Sequence, residues 1–204
     1  MKDTTWWRFA LCLCLLAAPV LAQNGMLGLP LVPRQGGWAR YVATSSDGPT
    51  PFVVRVGPPG RHEGQRGRWL LFEVEVPMTG RITLEFLVQG EVFTLDKVLL
   101  TRVTMPGQKP RETRDVFADQ ERPASWKPRV LRQTTAQIAG REIPVTEYSF
   151  PAGLTASWSP DVPGVGLVEV SGPDAFQLVA FGVGGDPWKG AATGAQWPEP
   201  PAPR

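Results

Sequence analysis

Trp69-Leu70-Leu71-Phe72-Glu73-Val74-Glu75-Val76-Pro77-Met78-Thr79-Gly80-Arg81-Ile82-Thr83-Leu84-Glu85-Phe86-Leu87-Val88 reads as two strands and the turn between them. From Arg81 onward polar and apolar residues alternate, so Ile82, Leu84, Phe86 and Val88 share one face; a helix would need a period near 3.6. Leu70, Phe72, Val74 and Val76 repeat the pattern one strand earlier. Glu73, Glu75 and Glu85 are then directed to solvent or to a neighbouring strand. Pro77-Met78-Thr79-Gly80 is short and supplies the glycine that a tight hairpin needs, so the two strands pair antiparallel.

The same reading extends in both directions. Strand-like runs cover Trp38 to Thr44, Pro51 to Val56, Val92 to Arg102, Arg129 to Ile138, Glu142 to Phe150, Leu154 to Trp158, Gly166 to Val170 and Phe176 to Val183, with turns at Gln89-Gly90-Glu91 and Ala139-Gly140. No long amphipathic helix is evident. Glycine and proline number 22 each and sit between the apolar runs, as turns do. The segment from Pro106 to Pro128, rich in prolines and charges, is expected to be a long excursion with a helical turn around Asp115 to Gln120. The domain order expected is a signal peptide over residues 1–22, an extended lead-in over 23–35, a single β domain over 36–184 and a Pro/Gly-rich disordered tail over 185–204.

The signal reading rests on Lys2 and Arg8, an apolar stretch from Phe9 to Leu21, and Val20-Leu21-Ala22 with small residues at the positions that signal peptidase accepts. Cleavage after Ala22 is expected. The apolar stretch is about 13 residues, against the roughly 20 that a membrane-spanning helix needs, so no integral membrane segment is expected after cleavage. The expected location is the periplasm, or alternatively the extracellular space. Cys12 and Cys14 both lie inside the signal, so the exported part has no disulfide, thiolate metal site or cysteine nucleophile. Its net charge of about +1 gives no drive toward nucleic acid.

Few residues offer catalytic chemistry. His62 is the single histidine and no Gly-x-Ser-x-Gly elbow is present, which argues against a Ser-His-Asp triad. Zinc enzymes usually use two or more histidines, so no metal and no cofactor are expected. A glycosidase would need two carboxylates at a set separation, and Asp115, Asp119, Glu121, Asp161 and Asp174 all fall in expected loops. The loop Gly57-Pro58-Pro59-Gly60-Arg61-His62-Glu63-Gly64-Gln65-Arg66-Gly67-Arg68 concentrates Arg61, Arg66 and Arg68. It is either a contact for phosphate or carboxylate groups or a loop kept soluble by charge. Trp38, Trp69, Trp126 and Trp158 could stack on a ligand or fill a core; Trp126, in the excursion, is the candidate for a mouth or lid.

In the second half, Gln137-Ile138-Ala139-Gly140-Arg141-Glu142-Ile143-Pro144-Val145-Thr146-Glu147-Tyr148 is followed by Ala156-Ser157-Trp158-Ser159-Pro160-Asp161-Val162-Pro163-Gly164-Val165-Gly166-Leu167-Val168-Glu169 and Phe176-Gln177-Leu178-Val179-Ala180-Phe181-Gly182. This order resembles uncharacterised exported bacterial β-rich proteins that are distantly similar to the periplasmic lipoprotein-carrier (Lol-like) superfamily. The resemblance implies a mainly β fold with a strongly curved antiparallel sheet, a half-barrel or open barrel, and little helix apart from the signal peptide. It also implies a lipid, amphiphile or envelope protein as partner, held on the concave face by Trp126, Phe86 and Trp158. That superfamily closes its open side with helices, for which this sequence offers no candidate. The function expected is therefore non-catalytic binding of an apolar or amphipathic ligand; the alternative is a structural or protein-interaction module of the envelope. N-terminal sequencing of the exported chain should begin at Gln23, and an intact Met1 would remove the signal-peptide reading.

Overall fold

The computed structural model describes residues 27–45, 48–76, 80–113, 127–172 and 175–189. The described residues form eleven strands: β1 Gly37–Ser45, β2 Gly48–His62, β3 Gln65–Val76, β4 Gly80–Val88, β5 Val98–Thr104, β6 Arg111–Thr113, β7 Arg129–Ile138, β8 Arg141–Ser149, β9 Thr155–Trp158, β10 Leu167–Ser171 and β11 Phe176–Val183. They form one antiparallel sheet in the order β6-β5-β4-β3-β2-β1-β11-β10-β9-β8-β7, open at β6 and β7. The fold is thus mainly β, as the alternating pattern requires. In the opening hairpin, Phe72 faces Leu84 and Leu70 faces Phe86, so the alternating residues of β3 and β4 lie on a common face.

Three segments between β2 and β6 depart from the sequence reading. The arginine-rich stretch after Val56 is strand rather than loop: β2 and β3 run on to a two-residue turn at Glu63 and Gly64, both with positive φ, and a bulge between Val56 and Pro59 absorbs the prolines. Val92 to Arg102 is not one strand. Phe93 turns into the core at 2% exposure, and a 3-10 turn at Leu95–Lys97 follows before β5 starts. Within the excursion, β6 pairs with β5 and Glu112 accepts hydrogen bonds from Arg102; three residues are too few to show a period. The expected helical turn at Asp115 to Gln120 lies outside the described residues.

The core is one continuous cluster. Ala39, Tyr41, Phe52, Val54, Leu70, Phe72, Leu84 and Phe86 from β1 to β4 join Ile143 and Val145 of β8, Val170 of β10 and Leu178 of β11. Strands as far apart in the order as β4 and β8 can share a cluster only if the sheet curls around it. Two aromatic groups anchor the cluster: Tyr41 stacks on Phe52 at 4.9 Å with Phe176 edge-on to both, and Phe72 and Phe86 meet Phe93. Such ring pairs contribute about 0.5–1.5 kcal/mol each beyond burial.

Lead-in and loop close the apolar side. Leu27 and Leu29 are buried, Leu31 N–H donates to the Glu91 carbonyl at 2.7 Å, and Val32 exchanges backbone hydrogen bonds with Gly164 at 2.8 and 2.9 Å. The loop Val162-Pro163-Gly164-Val165-Gly166 lies against the sheet, with Val162 fully buried and a Cβ on Gly164 falling 3.0 Å from Val54 Cγ1. Gly164 and Gly166 both have positive φ, which explains the glycines of this segment. No helix takes part in this closure among the described residues, and none there is long and apolar enough to cross a membrane.

The opposite face is crossed by the chain after β11. Trp38 Nε1 donates to the Gly184 carbonyl at 2.7 Å, Arg40 Nη1 to the Pro187 carbonyl at 3.0 Å, and Trp188 Nε1 to Glu73 Oε2 at 2.6 Å. Glu73 Oε1 also lies 2.8 Å from Arg55 Nε, and Arg81 stacks over the Trp188 ring. Residues 185–189, which composition places in the tail, therefore pack on the sheet because Trp188 is buried there, with Arg81 over its ring and Glu73 as a buried acceptor. Residues 190–204 lie outside the described residues.

Tyr41 is fully buried and its hydroxyl donates to the Leu167 carbonyl at 3.0 Å. Burial pushes its phenol well above the ordinary tyrosine range. A proton kept in the folded chain but released in the unfolded chain stabilises fully below about pH 10 and progressively less above it, by about 1.4 kcal/mol per pH unit. Urea unfolding above pH 10 should therefore lose stability more steeply in the wild type than in Tyr41→Phe; equal slopes would show that the phenol ionises inside the fold.

Candidate functional site

Of the three residues expected to contact an apolar ligand, two are placed by the structure. Phe86 is 2% exposed and its ring meets Phe72 at 5.4 Å and Phe93 at 5.5 Å, all within the core. Trp158 is half-buried at the end of β9, with its Nε1 donating to the Pro30 carbonyl of the lead-in at 2.9 Å. The contacts of both rings are with the protein's own chain. Trp126 lies outside the described residues.

The arginines come together. Arg61 and Arg66 are directly opposed across β2 and β3, and Arg68 is two residues further along β3, so the three guanidinium groups share one face of the hairpin. Arg61 and Arg66 are exposed and Arg68 is half-buried. His62, beside the turn, keeps about a quarter of its side chain exposed and lies 3.7 Å from Glu63 Oε1. Among the acids, Asp161 is 3.5 Å from Arg34, where it ties its loop to the lead-in, while Asp115, Asp119, Glu121 and Asp174 lie outside the described residues. No group of three or more His, Cys, Asp or Glu able to hold a metal ion occurs among the described residues.

The surface that sequence reasoning did not single out is the edge strand β7. Its turn end belongs to the core through Ile138, but Arg129 to Thr135 are exposed on both faces, including Val130 at 55% and Leu131 at 45%. The turn joining it to β8 consists of Ala139 and Gly140 with φ of 49° and 76°, the type I′ geometry in which the flanking pair, Ile138 and Arg141, exchanges both hydrogen bonds. Counting back in steps of two, Ala136, Thr134 and Arg132 bond to β8, whereas the backbone groups of Gln133, Thr135 and Gln137 point away from it. Pro144 fits this count: it faces Thr135, a position where its missing N–H costs no bond to β7. Toward the open end, a bulge leaves Leu131 without a partner, and Arg132 makes a two-pronged contact with Glu147 at 2.8 and 2.9 Å. Burial could not be read from the sequence here, because Thr134 to Ile138 alternate no differently from a covered strand.

No protein-family model and no curated protein matches this chain.

Trp158 is positioned by Gly166, whose φ is +71° and on which a Cβ would collide with the indole nitrogen. Gly166→Ala should destabilise the protein by about 2–4 kcal/mol through backbone strain and loss of the contact with Pro30. Denaturant unfolding followed by tryptophan fluorescence measures this, and an unchanged midpoint would mean that the indole is not held as described.

Proposed function

We propose that this chain is an exported, non-catalytic binding module of the bacterial envelope, which takes up an extended segment of a partner protein by strand addition at β7. The observation that carries this reading is the row of outward-facing backbone groups at Gln133, Thr135 and Gln137 on a strand exposed on both faces. Natural sheets blunt such edges with lysine, proline or inward charges. The run Gln133-Thr134-Thr135-Ala136-Gln137 carries none of these. The bulge at Leu131 limits the ladder on offer to the stretch from Arg132 to Ile138, enough for three outward-facing residues and their hydrogen bonds. Val130 and Leu131 supply apolar area beside it.

An apolar ligand enclosed on the concave face, the function first expected from the sequence, would have to displace Leu27, Leu29 and Val162, which are 2%, 5% and 0% exposed. The resemblance to periplasmic carriers supports the envelope setting and a partner-binding role, and β7 is where a partner finds unpaired backbone.

Proline at position 133 separates binding from folding, because the Gln133 N–H points away from β8 and proline is tolerated at such an edge position. Gln133→Pro should change stability by less than about 1 kcal/mol and abolish the photo-crosslink that a reactive residue at Thr135 makes to a partner in the periplasm, while Gln133→Asn should retain it. A crosslink that persists in Gln133→Pro would reject strand addition. A stoichiometric amphiphile in native mass spectra of both variants would favour the enclosed-ligand reading instead.

A further inference from the structure

We infer that the arginine face of the β2–β3 hairpin is a binding site for a phosphate-type oxyanion. The inference is independent of strand addition at β7. Arg61 and Arg66 are cross-strand partners one pair before the turn. In the alternation set by a two-residue turn this is a non-hydrogen-bonded pair, where opposed side chains stand closest and like charges destabilise. Arg68 adds a third positive charge on the same face. Its Nη1 is buried and has no hydrogen-bond acceptor among the described residues, an arrangement that a bound anion would relieve.

Four arginines elsewhere in the fold are paired with carboxylates. Arg34 meets Asp161, Arg55 meets Glu73, Arg102 meets Glu112 and Arg132 meets Glu147. Arg61, Arg66 and Arg68 form no ion pair among the described residues. The hairpin that carries them is both accessible and well formed. β1 pairs with β2 only as far as Arg55, and β4 pairs with β3 only as far toward the turn as Arg68, so the arginine tip extends beyond its neighbours. On the reverse side, Gly60 and Gly67 leave room for Trp69 and Leu87: a Cβ on Gly60 would lie 2.6 Å from Trp69 Nε1 and one on Gly67 3.1 Å from Leu87 Cδ1. Arg102 stacks over the outer face of Trp69 at 4.6 Å. The hairpin's back is thereby packed and its arginine face left for a ligand.

A carboxylate offers two oxygens and a single charge, enough for one guanidinium fork. A phosphate group offers three oxygens and a larger charge, which suits three guanidinium groups on neighbouring positions. Inorganic phosphate, or a phosphate monoester on a lipid headgroup, would present this chemistry.

The test uses the full exported chain, titrated with inorganic phosphate by calorimetry and sedimented with vesicles of phosphatidylcholine with and without phosphatidic acid. Saturable binding in the phosphate arm alone would identify a free anion as ligand, and binding in the phosphatidic acid arm alone a headgroup; either supports the site. Arg66→Gln and Arg68→Gln should each weaken binding by roughly tenfold or more, as loss of a charge-assisted bond requires, whereas Arg129→Gln on β7 should leave it unchanged. Should Arg68→Gln fail to fold, the exposed Arg61→Gln and Arg66→Gln decide the matter. No saturable binding in any arm, or affinities of the Arg61 and Arg66 variants equal to the wild type, would overturn the proposal.

Discussion

The exchange of backbone hydrogen bonds between Val32 and Gly164 holds the apolar side of the sheet shut. An open sheet with a row of Leu, Phe and Val on one face must cover that face or expose it to water, and burial is the dominant favourable term. Here the cover consists of the lead-in and the loop after β9, two short pieces of irregular chain from opposite ends of the sequence. Their backbone groups are satisfied by each other and by neighbouring loops, which is what permits irregular chain at the core. Trp158, bonded to Pro30, and Gly166, which makes room for the indole, tie the cover to the sheet.

The second face is covered by a different chemistry. Glu73 is 8% exposed on the middle of β3, a placement that would be costly for a lone carboxylate. Arg55 beside one oxygen and the Trp188 indole on the other compensate for its desolvation, and the same indole brings apolar area. Such an arrangement contributes little net stability compared with an apolar substitute, but it is sensitive to loss of either partner. It also determines where the chain runs after β11. Both coverings leave the two ends of the sheet unequal: β6 is three residues long, while β7 is ten and mostly bare.

The curvature of the sheet and the shortness of β9 and β10 are linked. β10 pairs with β11 at only two positions and β8 with β9 at four, so the long strands on either side are free to diverge and curl around the core. The loop from Ser159 to Gly166 packs on β2 and the lead-in. Its glycines and proline therefore serve packing, which accounts for the pattern Val162-Pro163-Gly164-Val165-Gly166 in physical terms.

Much of the strand content was legible because period-two alternation is a local signal: β4, β7 and β11 start and end close to where the pattern of Arg81 to Val88, Arg129 to Ile138 and Phe176 to Val183 places them. Elements ruled by distant contacts were not. The arginine stretch reads as loop because it is polar, yet its strands are dictated by a two-residue turn and need no burial. Trp188 reads as tail because its neighbours are Gly, Pro and Lys, yet its seat is on β3, 115 residues away. The candidate surfaces divide in the same way. The residue types at Arg61, Arg66 and Arg68 were visible, but register put them on one face; β7 was visible as a strand, but only strand order made it an edge. The sequence by itself determined the strands and their apolar faces, since side-chain alternation is a property of the backbone. Tertiary structure alone decided what covers those faces and which backbone groups stay unpaired, because pairing joins residues whose separation along the chain leaves no local trace.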